Sequence, residues 1–176
     1  EAPGIVGVEL RPVPPAAALP AFEAGAHIDL HLGEGLVRSY SLVNPGETHR
    51  YAVAVLNDRH SRGGSRFVHE QLRVGQTIAI GAPRNHFRLE PSPAYVFIAG
   101  GIGITPILPM LARADADGAD WSLLYGGRTS ASMAFTADLG AYGERVTLHP
   151  QDLNGLLDLD DLLLDPRDGT LVDCCG

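Results

Sequence analysis

Hydrophobic and polar positions alternate along short segments of the first half of the chain, a pattern typical of strands buried on one face. The alternation is clearest over residues 27–32, where His, Asp and His alternate with Ile, Leu and Leu before a Gly-Glu-Gly turn. The patterns predict strands over residues 3–11, 27–32, 36–43, 51–56 and 77–80, and one helix over residues 65–72 with Ser65 as its N-cap. This order predicts an antiparallel β-barrel that is closed or nearly closed.

The second half has a different pattern, because residues 94–99 form a continuous apolar run typical of a strand buried on both faces of a parallel sheet. Further strands are predicted over residues 121–125, 145–149 and 170–172, with helices over residues 106–114 and 156–164. The alternation of strands and helices predicts an α/β domain with a parallel sheet. We therefore expect two domains, at residues 1–91 and 92–176, joined by a Pro-containing linker. The last strand runs into Gly176 where a turn should begin a helix, which indicates part of a longer protein.

Charge is distributed unevenly between the two predicted domains. Residues 1–91 contain nine Arg and nine acidic residues, whereas residues 92–176 contain four Arg and twelve acidic residues, which gives the formal charge of −8. This balance argues against nucleic acid as a partner. No run approaches the roughly 18 apolar residues of a membrane-spanning helix, so no membrane association is expected.

The only cysteines are Cys174 and Cys175, and adjacent cysteines form a strained bridge at best. We expect free thiols, a reducing compartment and a cytoplasmic protein. The pair lacks the spacing of a zinc or iron–sulfur site. His27, Asp29 and His31 share one strand face, where a solvated surface is favoured over a metal site, so no metal is predicted.

The segment Gly100-Gly101-Ile102-Gly103-Ile104-Thr105-Pro106 follows a buried strand and opens a predicted helix that Thr105 could cap. Glycines allow close backbone approach, and a helix N-terminus favours a phosphate or pyrophosphate. The segment lacks the full Gly-x-Gly-x-x-Gly fingerprint, so a tight turn without a ligand stays open.

A second candidate site lies in the first half, at Arg38-Ser39-Tyr40-Ser41-Leu42. Strand geometry places Arg38 and Tyr40 on one face, where they could bind a phosphate and stack on a flat ring, and places Ser41 on the other face. An ordinary Arg packed over a Tyr on the barrel surface is the alternative. Gly63-Gly64-Ser65 precedes the predicted helix and is a further candidate anion cradle or an ordinary loop.

Taken in this order, the three segments resemble the ferredoxin–NADP reductase superfamily, and more narrowly the reductase components of bacterial Rieske oxygenases, the phthalate dioxygenase reductase and vanillate demethylase reductase group. The resemblance implies an oxidoreductase that passes electrons from NADH through FMN to an oxygenase or another acceptor protein. It implies Ser41 near the flavin N5 and Cys175 beside the nicotinamide as the catalytic residues. The other cofactor-binding residues that it implies are Arg38, Ser39, Tyr40, Val55, Asn57, Gly63, Gly64, Ser65, Gly100, Gly101, Gly103, Thr105, Arg128 and Thr129.

The sequence departs from this family in two places. Relatives of the group carry four Cys ligands for a [2Fe-2S] cluster, and none of those is present, so we expect the cluster in a region absent from this chain. Asn57 stands where relatives often carry Arg or Lys. Arg128 could accept the 2′-phosphate of NADPH, which keeps that donor open beside NADH.

Two alternatives to this function remain. One is a two-domain reductase with FAD, of the ferredoxin–NADP reductase or flavohaemoglobin type, which would need an aromatic platform for adenine that is not evident near Phe67. The other is a flavin- or nucleotide-binding electron-transfer subunit without an activity of its own.

Overall fold

A computed structural model of the chain describes residues 2–15, 17–33, 35–159 and 168–176. Contacts between residues divide the chain into two compact units, and the boundary between them lies between Arg88 and Leu89. The first unit carries the antiparallel strands and the second carries the parallel sheet.

The described residues of the first unit form five strands and one helix: β1 (Ile5–Leu10), β2 (His27–His31), β3 (Val37–Ser41), β4 (Tyr51–Leu56), α1 (Gly64–Glu70) and β5 (Ala79–Ile80). β1 pairs with β4, and β2 lies between β3 and β5, all antiparallel. A bridge between Leu42 and Val53 links the two sheets. The inward side chains form a core of the alternating apolar residues, namely Ala26, Ile28, Leu30, Leu32, Leu42, Tyr51, Val53, Val55 and Val68. The predicted antiparallel β-domain is therefore confirmed.

The second unit is built on a four-stranded parallel sheet in the order β8–β7–β6–β9. Its elements are β6 (Ala94–Gly100), a 3-10 turn (Gly101–Gly103), α2 (Ile104–Ala116), β7 (Asp120–Gly127), a 3-10 turn (Ser130–Ser132), α3 (Thr136–Leu139), a 3-10 segment (Gly140–Arg145), β8 (Val146–Pro150), α4 (Gln151–Asn154) and β9 (Thr170–Cys175). Buried aromatic residues pack in its core: Tyr95 and Phe97 of β6 stack on each other, and Phe97 meets Trp121 of β7 edge-on. The predicted α/β domain is confirmed.

Both predicted helix caps are wrong, because each helix begins before the residue predicted to cap it. α1 begins at Gly64 and α2 at Ile104, and neither has a side-chain cap. The Ser65 hydroxyl instead accepts a hydrogen bond from the Asp58 amide at 3.2 Å. The Thr105 hydroxyl donates to the Ile102 carbonyl at 2.9 Å, which anchors the turn that precedes α2.

The helix predicted over residues 156–164 is wrong at its start. Leu156 is 80% exposed, and residues 156–158 are not helical. Residues 160–164 of this predicted helix lie outside the described residues. Within the described part of the chain, no helix is long and apolar enough to cross a membrane.

Candidate functional site

Arg38 lies against the start of α1. Its Nη2 donates to the Arg62 carbonyl at 2.7 Å, and its Nη1 donates to the Val37 carbonyl at 2.7 Å. The side chain passes so close to Gly64 that a Cβ placed there would lie 2.4 Å from the Arg38 Cγ. Two predicted cofactor residues separated by a long stretch of chain are thus brought into contact, and the lack of a side chain at Gly64 lets Arg38 take this position.

The start of α1 offers backbone donors beside this guanidinium. Gly63 precedes the helix with φ +93°, a left-handed conformation that favours glycine. The first N–H groups of a helix have no partner within it, so the amides of the first turn are available to an anion. The guanidinium keeps further N–H donors beyond its two carbonyl bonds. The segment can therefore hold one phosphate from two sides, a side chain and a backbone turn.

Tyr40 lies on the same face of β3 as Arg38, because the two residues are opposite the buried Ile28 and Leu30 of β2. This face points inward, toward the core of the first unit, rather than to the outer surface that the alternative interpretation assumed. Tyr40 packs against that core and is half-buried, and burial raises the pKa of its phenol. A flat, half-buried ring two residues from an Arg with free N–H donors can orient a planar ligand by stacking.

Ser39 and Ser41 lie on the opposite face of β3. Ser39 is opposite Asp29, and its hydroxyl donates to the Asp29 carboxylate at 2.6 Å. Arg84 donates to the other carboxylate oxygen at 2.5 Å. The hydrogen bond from Ser39, together with the charge of Arg84, holds the pKa of Asp29 below its ordinary value. Ser41 is opposite His27 on this same face.

The remaining predicted residues of the first unit surround α1 with different exposures. The Val55 side chain is buried in the core, and its carbonyl accepts a hydrogen bond from His69 Nε2 at 2.9 Å, which ties α1 to β4. Asn57 is exposed just past β4, and its backbone N–H donates to the Gly4 carbonyl at 2.7 Å. Asn57 therefore keeps its side chain for a ligand, whereas Val55 can offer only backbone. The hydrogen bond from His69 to β4 was not predicted, since no feature of the neighbouring sequence distinguishes this histidine.

The Gly-rich turn of the second unit meets the end of β9. A Cβ at Gly103 would lie 2.2 Å from the Cys175 carbonyl oxygen, and one at Gly100 would lie 3.2 Å from the Gly176 Cα. Cys175 is opposite Ala99 in the sheet. The strand order reverses between β6 and β9, and ligands of open α/β sheets bind at the carboxyl ends of the strands at such a switch point. Burial, and then the neighbouring Cys174, raise the pKa of the Cys175 thiol.

Tyr125 holds the Gly-rich turn through its side-chain hydroxyl. This residue was not among the predicted site residues. Its hydroxyl donates to the Gly101 carbonyl at 3.1 Å and accepts from the Ala134 amide at 3.1 Å. Burial raises the pKa of this phenol to about 12, so it remains protonated and keeps donating. A tyrosine inside a buried apolar strand is the sequence signal that could have found it, because a buried hydroxyl needs partners.

Arg128 and Thr129 follow β7 directly. Arg128 is exposed, and its carbonyl accepts from the Asp152 amide at 3.1 Å, which brings an acidic residue of α4 to the same strand end. Thr129 caps the following turn, since its hydroxyl accepts from the Ser132 amide at 3.2 Å. Among the residues that the structure describes, no group of acidic, His and Cys side chains could hold a metal ion.

No protein-family model matches the chain. The chain is 46% identical over 176 residues to the tetrachlorobenzoquinone reductase of Sphingobium chlorophenolicum, covering 96% of this chain and 54% of that protein. It is 44% identical over 181 residues to a vanillate O-demethylase oxidoreductase of Pseudomonas putida, covering 100% of this chain and 56% of that protein.

Among solved structures, phthalate dioxygenase reductase, described as transferring electrons from pyridine nucleotides to [2Fe-2S], matches with a TM-score of 0.91 and 32% identity. The match covers 98% of this chain and 56% of that one. The chain thus spans about half the length of the curated relatives it matches.

Proposed function

We propose that this chain, which belongs to the ferredoxin–NADP reductase superfamily, is the flavin- and nicotinamide-binding part of an oxygenase reductase component. The observation that carries the proposal is the contact of Arg38 with Gly64, because it brings the strand of Tyr40 against the donor turn of α1, and together they would hold one phosphate. The relatives are oxidoreductases of this kind, which supports the same activity here.

We propose FMN as the flavin. Arg38 and the turn Gly63-Gly64-Ser65 would hold its phosphate, with Tyr40 against the ring and Ser41 at its edge. FAD would need an aromatic platform beyond this turn, and Phe67 does not offer one, since its ring packs toward Gly33 at the edge of the core. FMN, when bound, would supply the chemistry of hydride acceptance and single-electron transfer, and the protein would orient it.

The second unit would bind the nicotinamide dinucleotide. The turn from Gly100 to Thr105 would hold the pyrophosphate, because its glycines leave the backbone open and α2 begins directly after it. Cys175 would lie beside the nicotinamide, at the strand end that Gly103 allows to approach. The half-buried thiol stays protonated near neutral pH, so its role would be to orient the ring.

We propose NADH as the donor, with NADPH as the alternative. Arg128 alone could pair with a 2′-phosphate, but Asp152 reaches the same strand end through its bond to the Arg128 carbonyl. An acidic residue at this place favours free ribose hydroxyls. Replacing Asp152 with alanine would then narrow the preference for NADH, measured as the ratio of kcat/KM for the two donors. The same substitution at exposed Asp138 is the control.

The acceptor would be an oxygenase component or another electron-transfer protein, reached through a [2Fe-2S] centre outside this chain, in a reducing cytoplasm. Mass spectrometry of the cofactor released from the purified protein tests the flavin assignment. FMN supports the proposal, FAD favours the two-domain FAD reductase, and a chain that binds neither flavin contradicts both. A chain that binds flavin but accepts no electrons from NADH or NADPH would be a binding subunit.

A further inference from the structure

His27 and Ser41 are directly opposite each other in the β2–β3 ladder, where they form a non-hydrogen-bonded pair. The amide and carbonyl of His27 both bond to Arg84, at 2.9 and 3.0 Å, so neither points toward β3. In an antiparallel ladder, such a non-hydrogen-bonded pair brings its Cα atoms to about 4.5 Å, with side chains on one face. Asp29 and Ser39 form the next non-hydrogen-bonded pair, and the Ser39 hydroxyl donates a hydrogen bond to the Asp29 carboxylate. The same type of pair places the side chains of His27 and Ser41 next to each other on one face of the ladder.

A second imidazole extends from His27 toward solvent. The ring centroids of His27 and His86 are 5.3 Å apart, with an interplanar angle of 60°. Ser41 and His27 are partly buried and His86 is exposed. The three side chains therefore form a line from the strand that carries Tyr40 to the surface of the first unit.

The surroundings of His27 favour the neutral form of its ring. Burial lowers the pKa of His27 below its ordinary value, Arg84 and His86 lower it further, and Asp29 opposes them. Asp29 is itself held as a carboxylate by Ser39 and Arg84. His27 thus stays largely neutral near neutral pH and can accept a proton, with a carboxylate close by.

We propose that His27 is the relay group that carries protons between the Ser41 hydroxyl and solvent, with His86 as the outer step. This inference rests on the proposed function, in which Ser41 lies at the edge of the flavin. A hydride from NADH brings two electrons and one proton. The electrons leave singly to the acceptor, and the proton must leave as well. Ser41 passes a proton to the neutral His27 ring as it receives one, and His27 passes its proton to His86 and then to water.

The test compares H27Q and H86Q with H31Q as the matched control, because His31 lies on the same strand and face but is opposite Val37, which has no hydroxyl. NADH–ferricyanide turnover of the FMN-loaded full chain is measured against pH, in H₂O and in D₂O. We expect H27Q to lower kcat by about tenfold or more, to lose the solvent isotope effect, and to regain activity with added imidazole. H86Q should show a smaller loss, and H31Q none.

Histidine NMR titration of the wild type gives a readout independent of turnover and of the folding of any variant. FMN should shift the titration of His27, and H86Q should raise the pKa of His27, because His86 lowers it in the wild type. The relay is overturned if H27Q keeps the wild-type kcat and pH profile, or if FMN leaves the His27 titration unchanged. A wild type that binds FMN but gives no NADH turnover overturns the proposed function itself, and the relay with it.

Discussion

Replacing Gly64 with alanine would place a methyl group within the path of the Arg38 side chain. The added Cβ would lie 2.4 Å from Cγ, 2.9 Å from Nε and 3.0 Å from Cδ of Arg38. These atoms belong to a flexible side chain, so Arg38 can swing away and the backbone need not shift. The displaced guanidinium loses its bond to the Arg62 carbonyl, which costs about 1 kcal/mol. Alanine recovers about 1 kcal/mol because it is a better helix former than glycine.

The stability of the flavin-free protein should therefore change by less than about 1 kcal/mol, whereas FMN binding should weaken clearly. A hydrogen bond to a charged group contributes about 1.5–3 kcal/mol, so loss of the Arg38 contact predicts a Kd roughly 10- to 100-fold higher. Flavin fluorescence titration measures the Kd, and thermal unfolding measures the stability. G7A is the control, because a Cβ at Gly7 meets nothing within 4 Å.

A double-mutant cycle with R38A distinguishes this mechanism from a general disturbance of α1. R38A should weaken FMN binding in the wild-type background and add little in the G64A background, because both substitutions remove the same contact. Additive losses would refute the shared phosphate site. An unchanged FMN affinity in G64A would refute it more directly.

Three further predictions concern the second unit. G103A should raise the KM for NADH and lower the free energy of unfolding by about 1–3 kcal/mol, because the added Cβ clashes with the backbone of Cys175. Turnover and thermal unfolding measure these two effects. G140A is the control and should change neither the KM nor the stability, because nothing lies within 4 Å of a Cβ at Gly140. Tyr125→Phe should cost about 1 kcal/mol and raise the KM for NADH, and an unchanged KM would contradict its role under the Gly-rich turn. Asp173 Oδ2 is buried and has no hydrogen-bond partner among the residues that the structure describes, and burial raises the pKa of this carboxyl. The stability contributed by its neutral form is therefore lost as pH rises through that pKa. D173N should therefore be more stable than wild type at pH 7 by about 1 kcal/mol, with no such gain below the ordinary pKa of Asp, in urea unfolding at both pH values.

Local patterns were sufficient for the strands and for the two fold classes. The alternation over His27–His31 and the apolar run over Ala94–Gly100 are strong because each reports which faces of a strand are buried. The short helices α3 and α4 were missed, since four-residue elements leave no periodic pattern. The predicted helix at Leu156 rested on its leucines, yet Leu156 is exposed and Leu157 packs at Gly126 without a helix.

The site was predicted as a set of segments but not as contacts. The sequence marks Arg38 and Gly64, but only the tertiary fold shows that the side chain of one crosses the backbone of the other. The predicted caps Ser65 and Thr105 were wrong because their hydroxyls bond to Asp58 and Ile102 within the preceding turns. Tertiary and turn contacts thus took precedence over local capping preference.

The most direct test of the central claim is anaerobic stopped-flow mixing of the FMN-loaded chain with NADH and, separately, with NADPH. We expect NADH to bleach the flavin absorbance at a rate that saturates with NADH concentration, and G103A to shift this saturation to higher NADH concentrations. R38A should show bleaching only in proportion to the FMN that it still binds. An FMN-loaded wild type that neither nucleotide bleaches would contradict the claim that this chain carries hydride from nicotinamide to flavin.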